Sequence, residues 1–326
     1  MANTPLEGPQ RGTGIWRAFG PGLLFAGAAV GVSHIVQSTR GGATFGTSAI
    51  VIVLVSCGVK WPAFRFGPLY AAATGESLLA GYRRQGAWVL SVFAALTCGI
   101  LFTTLAAVTV VSAGLLINLA GLSPILESVG VASADHAAVV SLALIILSAV
   151  ILGSGGYPWL DRLMKIVMPV LMLATIAATI IALTGMSSEQ LTLIPVITTS
   201  SEVSFTAAMV GWMPAPIDIA VWSSLWALAR ARVTKRPPEC RSVLLDFDVG
   251  YVATLLLAMC FVVLGTSIMY GSEEEFSGSA AGFAAQVVEL YTRTLGDWSW
   301  PIIALAAFLA MFSTTITCMD GFPRSV

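Results

Sequence analysis

The sequence has few charged residues, two histidines and no cluster of cysteines. Of its 326 residues 10% are charged and 57% are hydrophobic, whereas soluble domains average about 25% and about 45–50%. The net charge of −1 provides no basic surface for a phosphate backbone, which excludes nucleic-acid binding. The five cysteines form no CxxC pair, so we expect neither a disulfide framework nor a zinc site. This composition predicts a helical integral membrane protein.

Motifs of common enzymes are also absent. The sequence contains no HExxH, no GxSxG, no paired carboxylates and no GxxxxGK[ST] loop for nucleotide phosphates. Two histidines provide little acid–base equipment. We therefore expect no enzymatic activity and no cofactor.

Eight apolar segments are long enough to cross a bilayer, which takes about 20 helical residues. The predicted spans are 17–40, 44–72, 87–120, 137–153, 165–184, 204–229, 249–271 and 298–318. Residues 1–16 are polar and are expected to form a cytoplasmic tail without a cleaved signal peptide. Near 278–295, apolar residues at helical spacing predict an outer surface helix, with a solvated loop as the alternative.

The basic residues orient the chain with its N-terminus in the cytoplasm. In that orientation the inner side receives Arg11, Arg17, Arg83, Arg84, Arg162, Lys165, Arg230, Arg232, Lys235, Arg236, Arg241 and Arg324. Arg293 falls in an outer loop, and the predicted outer loops 121–136 and 185–203 contain no basic residue. The expected location is the plasma or inner membrane.

The sixth span contains a sequence that interrupts helices, GWMPAPID at 211–218. Pro214 and Pro216 have no backbone N–H, and each ring clashes with the carbonyl four residues back. This predicts a break over Gly211–Pro216 that frees carbonyls around Val210. Inside a membrane such carbonyls must face protein or a wet cavity. A proline kink in a packed bundle is the alternative.

The first span is also unsuited to a lipid-facing helix. It has no side chain at Gly27 and Gly31, and its second half contains the polar residues Ser33, His34 and Gln37. The alternative interpretation is a packing face of small residues. This site and the sixth-span break lie five spans apart, which places them in inverted orientation. Paired interruptions of this kind are typical of the central site of secondary transporters.

Several segments resemble one known family. GPGLLFAGAA at 20–29 and GGATFG at 41–46 resemble the first helix of the Nramp family of proton-coupled divalent-metal transporters. ATGESLLAGYRR at 73–84 is similar to the end of that family's second helix, and FSTTITCMDGFPR at 312–324 to the end of its eighth. Met213-Pro214 is similar to the family's Met-Pro in its broken sixth helix.

The resemblance implies an all-α, leucine-transporter-like fold of two inverted five-helix repeats, in which helices 1 and 6 are broken. The first repeat would occupy 17–184 and the second 185–326. With about eight helices, the second repeat is expected to be incomplete, holding helices 6–8. A partner chain that completes the fold is one expectation that follows.

The resemblance also assigns site residues, with departures from the family pattern. The family's Asp-Pro-Gly-Asn motif matches residues 31–34, so Gly31 replaces its metal-binding aspartate and His34 its asparagine. The histidine that follows Met-Pro in the family is here Ala215. Met213 remains as a soft thioether ligand for transition metals. The candidate metal or substrate ligands are Gly31, Ser33, His34, Gln37, Val210, Met213 and Asp218.

Three ionisable residues within spans are candidates for coupling, because charges in a bilayer are costly and usually functional. Asp218 would replace the missing aspartate or carry a coupling proton, and His34 would bind substrate or a proton. Lys60 is hypothesised to pair with Asp218 near the midplane. The alternative for Lys60 is that its ammonium reaches the inner interface.

Together these expectations predict an Nramp-like secondary active transporter. It would move a divalent metal of the manganese or iron type together with protons, by alternating access. Two alternatives stay open. One is a symporter of a small organic solute on the same fold. The other is a truncated relic or assembly partner that does not transport.

Overall fold

The computed structural model describes residues 20–235, 239–271, 277 and 280–325. Within these ranges the backbone alone is described at 155–160, 163, 189, 280, 281, 284, 290, 294 and 295. The tail predicted over 1–16, and Arg236 of the predicted inner cluster, lie outside the described residues.

All regular elements in the described ranges are helical. The α-helices are α1 (Pro21–Ala29), α2 (Thr39–Phe45), α3 (Ala49–Thr74), α4 (Leu78–Gln85), α5 (Ala87–Ala120), α6 (Ser123–Ser128), α7 (His136–Gly185), α8 (Ser200–Trp212), α9 (Ile219–Thr234), α10 (Cys240–Met269), α11 (Ala280–Leu295) and α12 (Trp300–Ser325). A π-helical segment, Val32–Ser38, joins α1 to α2.

Six helical stretches of the described chain are long and apolar enough to cross a membrane, fewer than the eight predicted spans. They are Pro21–Thr74, Ala87–Ala120, Ser133–Ser154, Met164–Gly185, Cys240–Met269 and Asp297–Ser325. The first contains the predicted span 44–72 and residues 21–40 of the predicted span 17–40. The sixth predicted span is divided into α8 and α9, of 13 and 16 residues, and each is shorter than the roughly 20 residues that cross a bilayer.

The outer surface of the bundle is apolar. Val59, Phe102 and Leu173 are each at least two-thirds exposed, and many further valines, leucines and isoleucines of the long helices are exposed as well. Water-soluble monomers rarely expose apolar surface on this scale. The chain is therefore an integral membrane protein whose exposed apolar side chains face lipid.

Helix α10 holds both halves of the first span through glycines. A Cβ atom on Gly250 would lie 2.1 Å from the carbonyl oxygen of Gly22 in α1, and one on Gly265 would lie 2.1 Å from the carbonyl oxygen of Thr39 in α2. In a bilayer the lipid tails are as apolar as the side chains, so helices associate through such close backbone approach. The position of the first span thus depends on α10.

An aromatic cluster fills the space between α1, α3 and α10. Phe25 contacts Phe64, Phe247 and Tyr251 with ring centroids 5.0–5.7 Å apart. The Tyr251 hydroxyl donates to the Cys57 carbonyl at 2.6 Å, so its polar end is satisfied in the interior. The cluster fixes the α1 half of the first span against its neighbours.

Helix α11 lies where the sequence predicts an outer surface helix. Its Phe283, Val287, Val288 and Tyr291 are buried, and the helix packs on α5, α7 and α12. The Tyr291 hydroxyl is 3.0 Å from the hydroxyl of Thr175 in α7. The predicted apolar stripe is therefore the face that docks on the bundle.

Candidate functional site

The first span is interrupted at Gly31. Helix α1 ends at Ala29, Gly31 has non-helical dihedral angles, and the chain resumes as the π-helical segment Val32–Ser38. The Thr314 hydroxyl of α12 lies 2.9 Å from the Gly27 carbonyl and 3.2 Å from that of Val30. A Cβ on Gly31 would lie 2.8 Å from the Thr314 methyl carbon. Glycine at 31 therefore allows Thr314 to approach the interruption.

The second interruption separates α8 from α9. Helix α8 ends at Trp212, and α9 begins at Ile219. Because Pro214 and Pro216 have no N–H, the carbonyls four residues before them cannot receive a helical hydrogen bond. Val210 is one of these residues, and its carbonyl accepts a hydrogen bond from Lys60 instead, at 2.5 Å.

A small cavity lies between the two interruptions. Its volume is about 20 Å³, which suits one water molecule or one ion. Its walls come from both halves of the bundle. They are Ala28, Ala29, Val32 and Ser33 beside the first interruption, Trp212, Pro216, Asp218, Ile219 and Trp222 beside the second, Thr104 and Val108 of α5, and Thr314 and Cys318 of α12.

Asp218 is the acidic group of this cavity. Its side chain is 1% exposed, and neither carboxylate oxygen accepts a hydrogen bond from any described residue. The backbone N–H groups of Asp218 and Ile219 are near enough to act electrostatically, but they lack hydrogen-bond geometry. Asp218 precedes the first turn of α9, where the helix dipole favours an anion. The cavity thus contains a carboxylate that is free to bind a cation.

Two further polar groups of the cavity were missed by the sequence analysis. The Cys318 side chain lines the same cavity as Asp218. The indole N–H of Trp222, which is 1% exposed, has no hydrogen-bond partner among the described residues. The run of hydroxyl residues around Cys318 in 312–324 was the available signal, but hydropathy does not show which face of a helix meets a cavity.

The structure contradicts the hypothesised Lys60–Asp218 pair. The Lys60 ammonium donates to the carbonyls of Val210, Gly211 and Met213, at 2.5, 2.9 and 2.8 Å. The reason is local. The interruption leaves carbonyls at the end of α8 without N–H partners, and the ammonium satisfies them. Within the described residues, Asp218 is left without a countercharge in hydrogen-bonding contact.

Of the candidate ligands on the first span, Ser33 lines the cavity, whereas His34 and Gln37 do not. His34 is fully buried, with Nδ1 2.7 Å from the Ser33 hydroxyl and Nε2 2.9 Å from the Thr254 carbonyl of α10. Both ring nitrogens are thus engaged within the protein, Nδ1 with the cavity-lining Ser33 and Nε2 with α10. The side-chain amide oxygen of Gln37 has no hydrogen-bond partner among the described residues.

The candidate ligands on the sixth span are placed differently. Met213 is buried outside the cavity lining, and its sulfur lies 3.9 Å from the Ser38 hydroxyl. Val210 contributes its carbonyl to Lys60. Within the described part of the chain no three His, Cys, Asp or Glu residues come together as a metal cluster. A metal at this site would therefore rely on Asp218, Cys318, oxygens of the interruptions and water.

No family model matches the chain. It is 36% identical over 312 residues to a Pasteurella multocida (strain Pm70) protein named uncharacterized protein PM0681, with 94% of this chain and 69% of that protein covered. Solved structures of the Eremococcus coleocola manganese transporter share its fold. One mutant of that transporter has a TM-score of 0.67 and 17% identity, covering 98% of this chain and 69% of the transporter.

A second structure is the same transporter in complex with an aromatic bis-isothiourea substituted compound. It has a TM-score of 0.67 and 14% identity, and covers 98% of this chain and 68% of the transporter. These solved structures are of a transporter rather than of an enzyme. At such low identity they show the fold and leave the cargo of this chain to be argued from its own residues.

Proposed function

This chain belongs to the same family as the uncharacterized protein PM0681 of Pasteurella multocida, and from that premise and its fold we propose that it is a secondary transporter of divalent metal cations. The metal class is manganese or iron, as the Nramp resemblance implies. The cavity between the two interruptions is the proposed binding site.

The observation that carries the proposal is the buried Asp218 carboxylate without a hydrogen bond. An unpaired buried charge costs several kcal/mol. That cost is offset when a cation binds, and a cavity of about 20 Å³ accommodates one dehydrated ion. The same volume leaves no space for an organic solute in this conformation, which favours the metal over the alternative cargo.

The proposal includes alternating access about the two interruptions, with the inverted repeats 17–184 and 185–326 moving relative to each other. Half-helix ends and freed carbonyls beside the cavity support this, because they are the usual elements of such sites. Proton coupling is also proposed, with protons entering the vesicle in the same direction as the metal. A pH-sensitive dye inside vesicles should then report acidification during metal entry.

The proposed orientation places the N-terminus in the cytoplasm, and the excess of inner basic residues supports it. In this orientation Cys240, at the start of α10, faces the cytoplasm. Labelling of Cys240 by a membrane-impermeant maleimide in inside-out vesicles, but not in right-side-out vesicles, tests the assignment.

The function is tested directly by reconstitution. Purified protein in liposomes that enclose a metal-quenched dye should give saturable entry of Mn²⁺ and Cd²⁺, accelerated by an inward proton gradient. Uptake no faster than in protein-free liposomes for both metals would contradict the proposal and favour the non-transporting alternative.

Cys318→Ser should change selectivity more than total transport. A thiol prefers soft metals, so the apparent affinity for Cd²⁺ should fall roughly tenfold, or ~1.4 kcal/mol, while that for Mn²⁺ changes little. Cys98→Ser, an exposed position on α5, is the matched control and should transport both metals normally. An equal loss for both metals would remove Cys318 from the binding site.

A further inference from the structure

The end of α8 forms a cation site made of backbone carbonyls. The last carbonyls of any α-helix have no intrahelical partner, and the helix dipole gives this end partial negative charge. In α8 and the residue after it, the carbonyls of Val210, Gly211 and Met213 all point at one place, as their common contact with a single nitrogen atom shows. Pro214 removes the N–H that would otherwise bind the Val210 carbonyl.

That place is occupied by the ammonium of Lys60, from the middle of α3. A lysine ammonium has three N–H donors, and the three carbonyls accept one hydrogen bond each. Lys60 takes part in no ion pair among those found in the described residues. Its charge is therefore balanced by backbone dipoles rather than by a carboxylate.

We propose that Lys60 is a tethered cation occupying a monovalent-cation site at the end of α8, and that the same site accepts a free primary ammonium when the lysine side chain is removed. The site is distinct from the proposed metal cavity, since Val210, Gly211 and Met213 do not line that cavity. A tethered cation stabilises the interruption permanently, so no monovalent ion has to be bound from solution there.

The experiment is chemical rescue of Lys60→Ala. Propylammonium has the three carbons and the ammonium that this substitution removes. We expect Lys60→Ala in detergent to melt below the wild type and to recover as propylammonium chloride is added. The recovery should grow with the logarithm of concentration, as linkage requires for a ligand bound by the folded state. Because the readout is thermal stability, the result of this experiment does not depend on whether the protein transports metal.

Two controls separate site binding from salt effects. Tetramethylammonium chloride has the same charge but no N–H donor, and it should not restore the melting midpoint. Lys165→Ala removes a lysine that pairs with Asp161 at 2.5 Å rather than with carbonyls. Propylammonium should not restore the melting midpoint of this variant. Equal recovery with tetramethylammonium, equal recovery of Lys165→Ala, or no recovery of Lys60→Ala would each overturn the proposal.

If Lys60→Ala gives no folded protein without propylammonium, folded yield in its presence becomes the readout. Lys60→Met provides a second test, because it keeps most of the apolar length and removes the charge. It should melt clearly below the wild type, and the loss should exceed that of Lys165→Met. A Lys60→Met protein as stable as the wild type would show that the carbonyls do not need a cation.

Discussion

Asp218→Asn is expected to lower the apparent affinity for Mn²⁺ at least about 100-fold, which corresponds to ~2.8 kcal/mol. The carboxylate is buried in the cavity without a hydrogen bond, so its full negative charge is available to attract a bound cation. The amide has the same shape but no charge. Uptake into liposomes, measured against Mn²⁺ concentration, provides the affinity.

The same substitution should affect stability with the opposite sign. Without metal, Asp218→Asn removes an unpaired buried charge, so the melting midpoint should stay equal to that of the wild type or rise. With metal at about 100 times its dissociation constant, the wild type should gain about 2.7 kcal/mol and the variant almost nothing. A loss of transport with lower metal-free stability would indicate misfolding instead of a lost ligand.

Asp297→Asn is the matched control, since Asp297 is exposed and precedes α12 away from the cavity. It should retain uptake and metal stabilisation. If Asp218→Asn transports Mn²⁺ with wild-type affinity, Asp218 is not the anionic ligand. The metal proposal would then lose its main support.

Features written in the local sequence were the ones that could be predicted. Long apolar segments predicted that membrane helices are present, because hydropathy and length are local properties, but eight spans were expected and six such stretches are found in the described chain. Helix α8 ends just before Pro214 and Pro216, and helix α1 ends just before Gly31. A missing N–H or a missing Cβ affects the turn of helix in which it occurs, so these ends could be predicted locally. The apolar stripe on 280–295 likewise depends on helical spacing alone.

Contacts between distant segments could not be predicted in the same way. Lys60 meets α8 across about 150 residues of chain, and opposite charges suggested Asp218 as its partner. The sequence does not show that freed carbonyls would compete for the ammonium more effectively. His34 turns towards Thr254 and Cys318 faces the cavity for similar reasons, because both depend on how each helix is rotated within the bundle.

Gly250→Ala is expected to destabilise the fold by about 1–3 kcal/mol, although it adds one methyl group. That carbon would lie 2.1 Å from the Gly22 carbonyl oxygen, which is backbone and cannot change rotamer. Helix α1 would have to move away from α10. The Asp246 carboxylate would then lose hydrogen bonds from the N–H groups of Gly20 and Gly22, both 3.0 Å long, each worth about 0.5–1.5 kcal/mol or more when the acceptor is charged.

Gly58→Ala makes the same change inside helix α3, where no atom beyond its chain neighbours and the nearby backbone of α3 lies within 4 Å of the added carbon. There alanine should stabilise the helix by about 0.5–1 kcal/mol, because glycine loses more backbone freedom on folding. The two variants should therefore shift the melting midpoint in opposite directions in the same detergent. If Gly250→Ala melts with or above the wild type, α1 and α10 are not in backbone contact. The placement of the first interruption beside Asp218, which depends on that contact, would fail with it.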